Sequence, residues 1–260
     1  MMLRPGAFRG LSADAVVTFA TLGLVATGAA LAGRAPIDAA VRDAGAALPG
    51  VALLASMTLI LFTAIELIDR GGRVDREATR KLGHVGAGGI ALLAPAVLPS
   101  HWAMLLLTAG FALLLLASRW IGVLGPLHPE GRRGAGDLTY PAGLYAAFVL
   151  AGPNVVAFAV AVAVLALADP AAALAGRRWG TRRFVAFGTS RSVEGTAAFA
   201  AVALAVSLTA FLAFGGAPMP SVLRAIAVAS ATAVAEAFSP SGLDNLTIPV
   251  AAVLVLGTAS

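Results

Sequence analysis

Long apolar runs constrain the fold of this chain more than any other feature of its sequence. Hydrophobic residues occupy 59% of the 260 positions and charged residues only 12%, and the mean hydropathy is +0.91. Several runs reach about 18 to 20 residues, which is enough for a helix to cross the hydrocarbon core of a bilayer. The sequence therefore predicts an all-α protein, a polytopic transmembrane helical bundle.

About nine candidate spans follow one another along the chain, at residues 13–33, 50–68, 82–98, 101–118, 139–151, 153–174, 195–214, 221–238 and 244–259. The third is rich in glycine and contains Pro95, and the fifth is short and contains Pro141. Either could be a broken or re-entrant helix that lines a cavity. The first span could be a cleaved signal peptide, although its length favours a retained helix. We divide the chain into an amino-terminal span with its outward loop, residues 1–49, and a membrane-embedded domain, residues 50–260.

The distribution of arginine predicts the orientation of the spans. The chain has 17 arginines and one lysine, and most of them lie in the connections after the second, fourth and sixth spans. The connections at 99–100, 152 and 215–220 contain no charged residue. The positive-inside rule then predicts a cytoplasmic amino terminus and cytoplasmic arginine-rich loops. We expect an integral protein of the inner membrane of a prokaryote, whose positive charge faces lipid phosphates and not nucleic acid.

Ionisable residues that are far apart in sequence are predicted to meet at the cytoplasmic face. Asp169 directly follows the apolar run 155–168, and Glu236 follows fifteen residues with a single charge. Acids at such positions need a partner or a function, because charge is costly near hydrocarbon. One shared polar site is the natural inference, and its candidate members are Glu66, Glu77, Lys81, His84, Asp137, Asp169, Arg191, Glu194, Glu236, Asp244 and Asn245.

The segment 77–89 contains the only lysine of the chain and the first of its three histidines. Arg80, Lys81 and His84 fall within about one helical turn, which favours binding of an anionic ligand. The same cations could instead anchor the third span, and His84 could simply be packed. His101 and His128 show no pattern and are interpreted as surface residues. The absence of cysteine excludes thiol catalysis and cysteine-ligated metals.

Glycines and arginines follow Asp169 at 176–180 and again at 188–191. Gly176 and Gly180 with the arginines between them favour a turn close to phosphate, because glycine allows close backbone approach and arginine supplies charge. The alternative is that the two glycines allow close packing between helices. This is not a Walker loop, since no Gly-Lys-Ser/Thr follows.

Five motifs occur in order over residues 66–250: Glu77-x-x-Arg80-Lys81-x-x-His84, Gly136-Asp137-x-x-Tyr140-Pro141-x-Gly143, Asp169-x-x-Ala172-x-x-x-Gly176-x-x-x-Gly180, Arg191-Ser192-Val193-Glu194-Gly195-Thr196, and Glu236-x-x-Ser239-Pro240-x-Gly242-x-Asp244-Asn245-x-x-x-Pro249. Together they resemble the dolichol kinase and phytol kinase family of polytopic lipid kinases, relatives of the phosphatidate cytidylyltransferases. The chain departs from the family pattern in two motifs. Ser190 and Arg191 stand in place of paired lysines with Ser192 in place of threonine, and Asp137 stands in place of glutamate.

The resemblance implies CTP-dependent phosphorylation of a long-chain isoprenoid alcohol, such as phytol or a polyprenol, at the cytoplasmic face with Mg2+ or another divalent cation. Its partners would be the lipid alcohol, a nucleoside triphosphate and membrane lipids. Carried onto this chain, the motifs imply catalytic roles for Lys81, His84, Asp137 and Asp169, nucleotide binding by Arg80, Gly176, Gly180, Arg191, Glu194 and Gly195, and metal ligation by Asp169, Glu194, Asp244 and Asn245. The pair Asp244-Asn245 could equally cap the last helix.

Two other functions remain open from the residues. A phosphatidate cytidylyltransferase would need a similar basic face but would release pyrophosphate instead of CDP. A secondary transporter would also contain intramembrane acids and broken helices. The predicted gathering of polar residues at one face and the lack of an internal repeat favour an enzyme over a transporter.

The orientation can be tested with reporter fusions. A reporter placed after Gly134 or after Arg183 is expected to read cytoplasmic, and one placed after Gly216 is expected to read external, because arginine-rich loops are retained inside. Opposite locations for the Gly134 and Arg183 fusions would rule out a single-face site.

Overall fold

The fold is almost entirely helical, as the apolar runs predict. The structure is a computed structural model that describes residues 37–128 and 136–257, and it is 81% helical. We number its helices α1 (Ile37–Arg70), α2 (Arg76–Ala91), α3 (Ala94–Val97), α4 (His101–Ile121), α5 (Gly136–Ala151), α6 (Val155–Trp179), α7 (Val193–Ala213), α8 (Pro218–Phe238) and α9 (Asp244–Gly257), with a 3-10 turn at Gly125–Leu127.

Within residues 37–128 and 136–257, five helices are long and apolar enough to cross a membrane. They are Gly45–Arg70, His101–Ile121, Val155–Trp179, Val193–Ala213 and Pro218–Phe238, and they match the second, fourth, sixth, seventh and eighth predicted spans. The last predicted span is a shorter apolar helix, Asp244–Gly257, and the first, 13–33, lies outside the described residues. A helical membrane protein is therefore supported, while the count of nine spans and the cytoplasmic amino terminus stay predictions.

The third predicted span is broken, whereas the fifth is continuous. Helix α2 ends at Ala91 and α3 starts at Ala94, with Pro95 in its first turn. Proline lacks the amide hydrogen and its ring crowds the preceding turn, so it interrupts a helix here. Pro141 is accommodated inside the single helix α5. The outward loop expected before residue 50 is helical from Ile37 onwards, because α1 runs through Pro49 without a break.

Helix α6 is the centre of the bundle. Its residues Val160, Val162, Val164 and Leu165 are completely buried, and α6 packs against α2, α5, α7 and α9. The outer helices instead expose large apolar side chains, among them Ile60 on α1 and Leu113 on α4. A protein that hides small and branched residues inside and exposes leucine outside is suited to a lipid environment.

A short β-hairpin follows α6 and was absent from the all-α prediction. Strand β1 (Arg183–Ala186) pairs with strand β2 (Thr189–Ser192) in antiparallel register. Phe187 and Gly188 form the turn with φ of 47° and 79°, as a two-residue hairpin loop requires. Strand β2 runs directly into α7, where the Ser192 hydroxyl accepts a hydrogen bond from the Gly195 amide at 3.1 Å. The hairpin thereby holds Arg191 at the start of α7.

Candidate active site

A buried ion pair joins α2 to α6. The Lys81 Nζ lies 2.6 Å from the Asp169 Oδ2, and the two residues are only 7% and 9% exposed. Burying both charges is costly, and removing either partner would leave the other uncompensated. Two residues separated by 88 positions are thus brought together as the sequence predicts for one shared site.

His84 lies beside this ion pair. Its Nε2 is 3.1 Å from the Leu165 carbonyl oxygen and 3.8 Å from the Asp169 carboxylate. The Tyr140 hydroxyl donates to the His84 carbonyl oxygen at 3.0 Å, and the two rings meet edge to face with centroids 4.5 Å apart. The imidazole is therefore fixed against α6, at hydrogen-bonding range of its backbone and near the carboxylate.

Arg191 forms a second charged cluster with the carboxyl-terminal helices. Its guanidinium pairs with Glu236 and, at 3.2 Å each, with the Asp244 carboxylate and the Ser239 carbonyl oxygen. Glu236, which the sequence leaves in need of a partner, finds it in Arg191. The Arg191 Nε is buried and has no hydrogen-bond partner within the described part of the chain.

A cavity of about 230 Å³ opens between α6, the hairpin, α7 and α8. We call it the large cavity. Three arginines and three acids line it: Arg177, Arg183, Arg191, Asp169, Glu236 and Glu77 of α2. Gly176 and Gly195 contribute surface without a side chain. Arginine forks and exposed backbone suit the oxygens of phosphate groups.

A second cavity, of about 80 Å³, lies on the α2 side of the ion pair. We call it the small cavity. Lys81, His84, Asp137 and Tyr140 line it together with apolar side chains. Asp169 lines the large cavity and its partner Lys81 lines the small one. The ion pair therefore forms part of the wall between two cavities of different chemical character.

Gly176 and Gly180 do not form the expected turn. Gly176 belongs to the last turn of α6, and Gly180 ends that helix. A Cβ added to Gly176 would lie 2.9 Å from the Ser192 Oγ, and one added to Gly195 would lie 2.9 Å from the Ala172 carbonyl oxygen. These glycines let α6 and α7 approach each other closely, as the alternative of helix packing expects. Gly176 and Gly195 also border the large cavity.

Three residues predicted to bind nucleotide are absent from the large cavity's lining: Arg80, Gly180 and Glu194. Arg80 is bonded to Glu77 one turn earlier, at 2.6 and 2.8 Å, and faces the small cavity. The Glu194 carboxylate accepts hydrogen bonds from the Thr181 hydroxyl at 2.5 Å and from the Arg182 amide at 3.2 Å. The second contact ties the start of α7 to the loop before the hairpin, so Glu194 is engaged in local structure.

The four predicted metal ligands do not fit one metal centre. Within residues 45–128 and 136–257, no group of three or more histidine or acidic side chains is arranged to hold an ion. Asp169 and Asp244 are paired with Lys81 and Arg191, and Asn245 donates to the Gly136 carbonyl oxygen at 2.7 Å. Asp244 and Asn245 lie in the first turn of α9, and the capping alternative stays a prediction.

Asp137, predicted as catalytic, is held by a network that sequence reasoning missed. Arg119 at the end of α4 pairs with both of its carboxylate oxygens, and the His128 Nδ1 lies 2.8 Å from Oδ2. The other ring nitrogen of His128 is 2.9 Å from the Ser118 hydroxyl. The interpretation of His128 as a surface residue is therefore wrong. The 3-10 turn at Gly125–Leu127 brings His128 close to Ser118 and Asp137. No local sequence pattern predicts these contacts.

The chain is similar to one characterised class of enzyme. It is 33% identical to a phytol kinase of Synechocystis sp. over 200 residues, which cover 75% of this chain and 84% of that protein. No family model matches the chain, and no solved structure matches it.

We expect Asp137 to act mainly by holding α4 against α5. Replacing Asp137 by asparagine removes the charge that pairs with Arg119 and His128, and loss of a buried partner of this kind costs about 3 kcal/mol. Thermal unfolding of the detergent-solubilised protein should show a clear decrease in Tm.

Asp75→Asn is the matched control. Asp75 pairs with Arg177 at 3.2 Å at the surface, and this hydrogen bond lowers the pKa of the Asp75 carboxyl. Exposed pairs contribute little to stability, and asparagine caps α2 as well as aspartate does. Equal Tm values for the two variants would contradict the role given to Asp137.

Proposed function

This chain belongs to the phytol kinase and dolichol kinase family, and we propose that it transfers a phosphoryl group from a nucleoside triphosphate to a long-chain isoprenoid alcohol. The observation that carries the proposal is the Lys81–Asp169 ion pair in the wall between the large and small cavities. A lipid kinase must bring a charged, water-soluble donor to a hydroxyl on an apolar chain. Two cavities of unlike character, one lined by Asp169 and the other by its partner Lys81, suit this task.

The large cavity is proposed to bind the phosphates of the donor. Arg177, Arg183 and Arg191 line it, and guanidinium groups that face a cavity can donate to phosphate oxygens. CTP is the donor that the family resemblance implies. Arginine in place of the family's lysine keeps the charge and adds a bidentate fork.

The alcohol is proposed to reach Asp169 from the small cavity. Its hydroxyl oxygen would attack the terminal phosphorus of the nucleotide, the bond from that phosphorus to the nucleoside diphosphate would break, and the hydroxyl proton would pass to the Asp169 carboxylate. Lys81 would balance the negative charge of the transferred group. His84, fixed against Leu165, would orient the hydroxyl. Positioning and charge stabilisation supply most of the catalysis in such transfers.

Mg2+ is proposed to accompany the nucleotide. This ion commonly keeps several waters and is held by substrate phosphates with one or two carboxylates. Of the predicted ligands, Asp169 and Asp244 carry carboxylates that are each paired with a cation, Lys81 and Arg191. No catalytic step is assigned to the ion, because the described residues do not form a metal centre of their own. Arg80, Gly180 and Glu194 keep their predicted nucleotide roles only as predictions.

The reaction is proposed to occur at the cytoplasmic face of a prokaryotic inner membrane. The arginine-rich connections support this orientation through the positive-inside rule. Three arginines of the connection that follows the sixth predicted span line the large cavity: Arg177, Arg183 and Arg191. Cytoplasmic nucleotide would therefore have direct access to the cavity.

Product identification tests the function. Purified protein in mixed micelles is supplied with phytol and with CTP labelled at its terminal phosphate. We expect the label to move to the lipid and CDP to accumulate. Asp169→Asn should lower kcat by roughly 10²- to 10⁴-fold, which is the usual contribution of a positioned acid or base, while Asp75→Asn should retain turnover.

A parallel reaction with phosphatidate separates kinase from cytidylyltransferase. Release of pyrophosphate with phosphatidate, and no labelled lipid with phytol, would replace the kinase by the alternative. Full activity of Asp169→Asn would instead leave the kinase in place and remove Asp169 from its chemistry.

A further inference from the structure

We propose that a third cavity, which continues from the small cavity, holds the first part of the alcohol's hydrocarbon chain. This inference rests on the proposed lipid kinase function and names where its lipid substrate binds. The third cavity has a volume of about 60 Å³ and lies between α1, α2, α4 and α5. We call it the apolar cavity.

The apolar cavity and the small cavity are neighbours. Four residues line both of them: Phe62, Ala87, Leu115 and Tyr140. The small cavity ends at Lys81 and His84, beside Asp169. A molecule with a hydroxyl at one end and hydrocarbon at the other could therefore extend from the carboxylate, past Tyr140, into the apolar cavity.

The lining of the apolar cavity selects for hydrocarbon. Its lining residues, all within the described part of the chain, include no charged side chain. Its two threonines turn their hydroxyls to their own helices: Thr58 donates to the Leu54 carbonyl oxygen at 2.8 Å and Thr108 to that of Met104 at 2.7 Å. Because these donors are satisfied, the cavity gives a polar occupant little to bind.

Tyr140 marks the boundary between the two regions. Its hydroxyl is bound to the His84 carbonyl oxygen at 3.0 Å, so the ring is held in place and its apolar faces are available to a chain. Gly88 allows this arrangement, because a Cβ at that position would come within 3.2 Å of the Tyr140 hydroxyl. The carbons next to the alcohol oxygen would pack against this ring.

The size of these cavities limits what they enclose. Sites that surround a drug-sized ligand occupy roughly 300–1,000 Å³, whereas the small and apolar cavities measure about 80 and 60 Å³. Only the hydroxyl end and the first isoprene units can be enclosed. The rest of the chain would lie in the bilayer along apolar outer faces such as those of Ile60 and Leu113. The enzyme would thus recognise the start of the alcohol.

Two threonines on α1 offer a matched test. Thr58 lies in the apolar cavity, whereas Thr63 is exposed on the same helix and makes the same bond, to the Leu59 carbonyl oxygen at 2.8 Å. Thr58→Phe fills the cavity and should lower kcat/KM for phytol by roughly tenfold or more, as poorly fitting methylenes do in a hydrophobic pocket. The kcat/KM for a five-carbon isoprenoid alcohol should be little changed, because this alcohol need not reach Thr58. The KM for CTP should also be little changed. Thr63→Phe should match the wild type in every assay.

The outcomes separate this inference from the function on which it rests. If both variants are active and Thr58→Phe has the same kcat/KM for phytol as Thr63→Phe, the apolar cavity does not hold the chain. If the wild type phosphorylates no alcohol, the proposed function fails first.

A wild-type experiment covers the case in which Thr58→Phe fails to fold. Phytol with a diazirine in its second isoprene unit is photoactivated on the wild-type protein. Labelled peptides are expected from α1 around Thr58 and from α4 between Met104 and Leu115. Labelling confined to α7 and α8 would overturn the inference.

Discussion

The Lys81–Asp169 ion pair is the interaction on which the site depends. It joins α2, the first piece of a broken span, to α6, the most buried helix of the bundle. Each charge is tolerated there only because the other is present. The same pair forms part of the wall between the arginine-lined large cavity and the small cavity. A single contact thus contributes to helix packing and to the proposed meeting point of the two substrates.

Two further groups of charged residues accompany this pair. Arg191, held by the hairpin at the start of α7, gathers Glu236 of α8 and Asp244 of α9. On the opposite side, Arg119 and His128 hold Asp137 at the start of α5. Buried ionic networks of this kind cost desolvation and are stable only when their members are paired. Arg191 also lines the large cavity, where it is proposed to bind the donor.

Five of the predicted membrane spans and the proximity of Lys81 to Asp169 could be predicted from the sequence. Charge beside hydrocarbon identifies Lys81 and Asp169, because such residues must be paired or functional. It does not identify the Arg119–Asp137–His128 network, since that depends on a 3-10 turn whose formation is set by tertiary packing. The prediction of a turn at Gly176 and Gly180 is wrong for a related reason. Small residues permit both a turn and close helix packing, and only the position of α7 decides between them.

The central claim is that donor and acceptor approach Asp169 from different cavities. A structure of the protein with phytol and a non-hydrolysable CTP analogue tests it most directly. We predict nucleotide phosphates in the large cavity within hydrogen-bonding distance of Arg191, and the phytol oxygen beside Asp169 in the small cavity. Both ligands in one cavity, or a nucleotide remote from Asp169, would contradict this account.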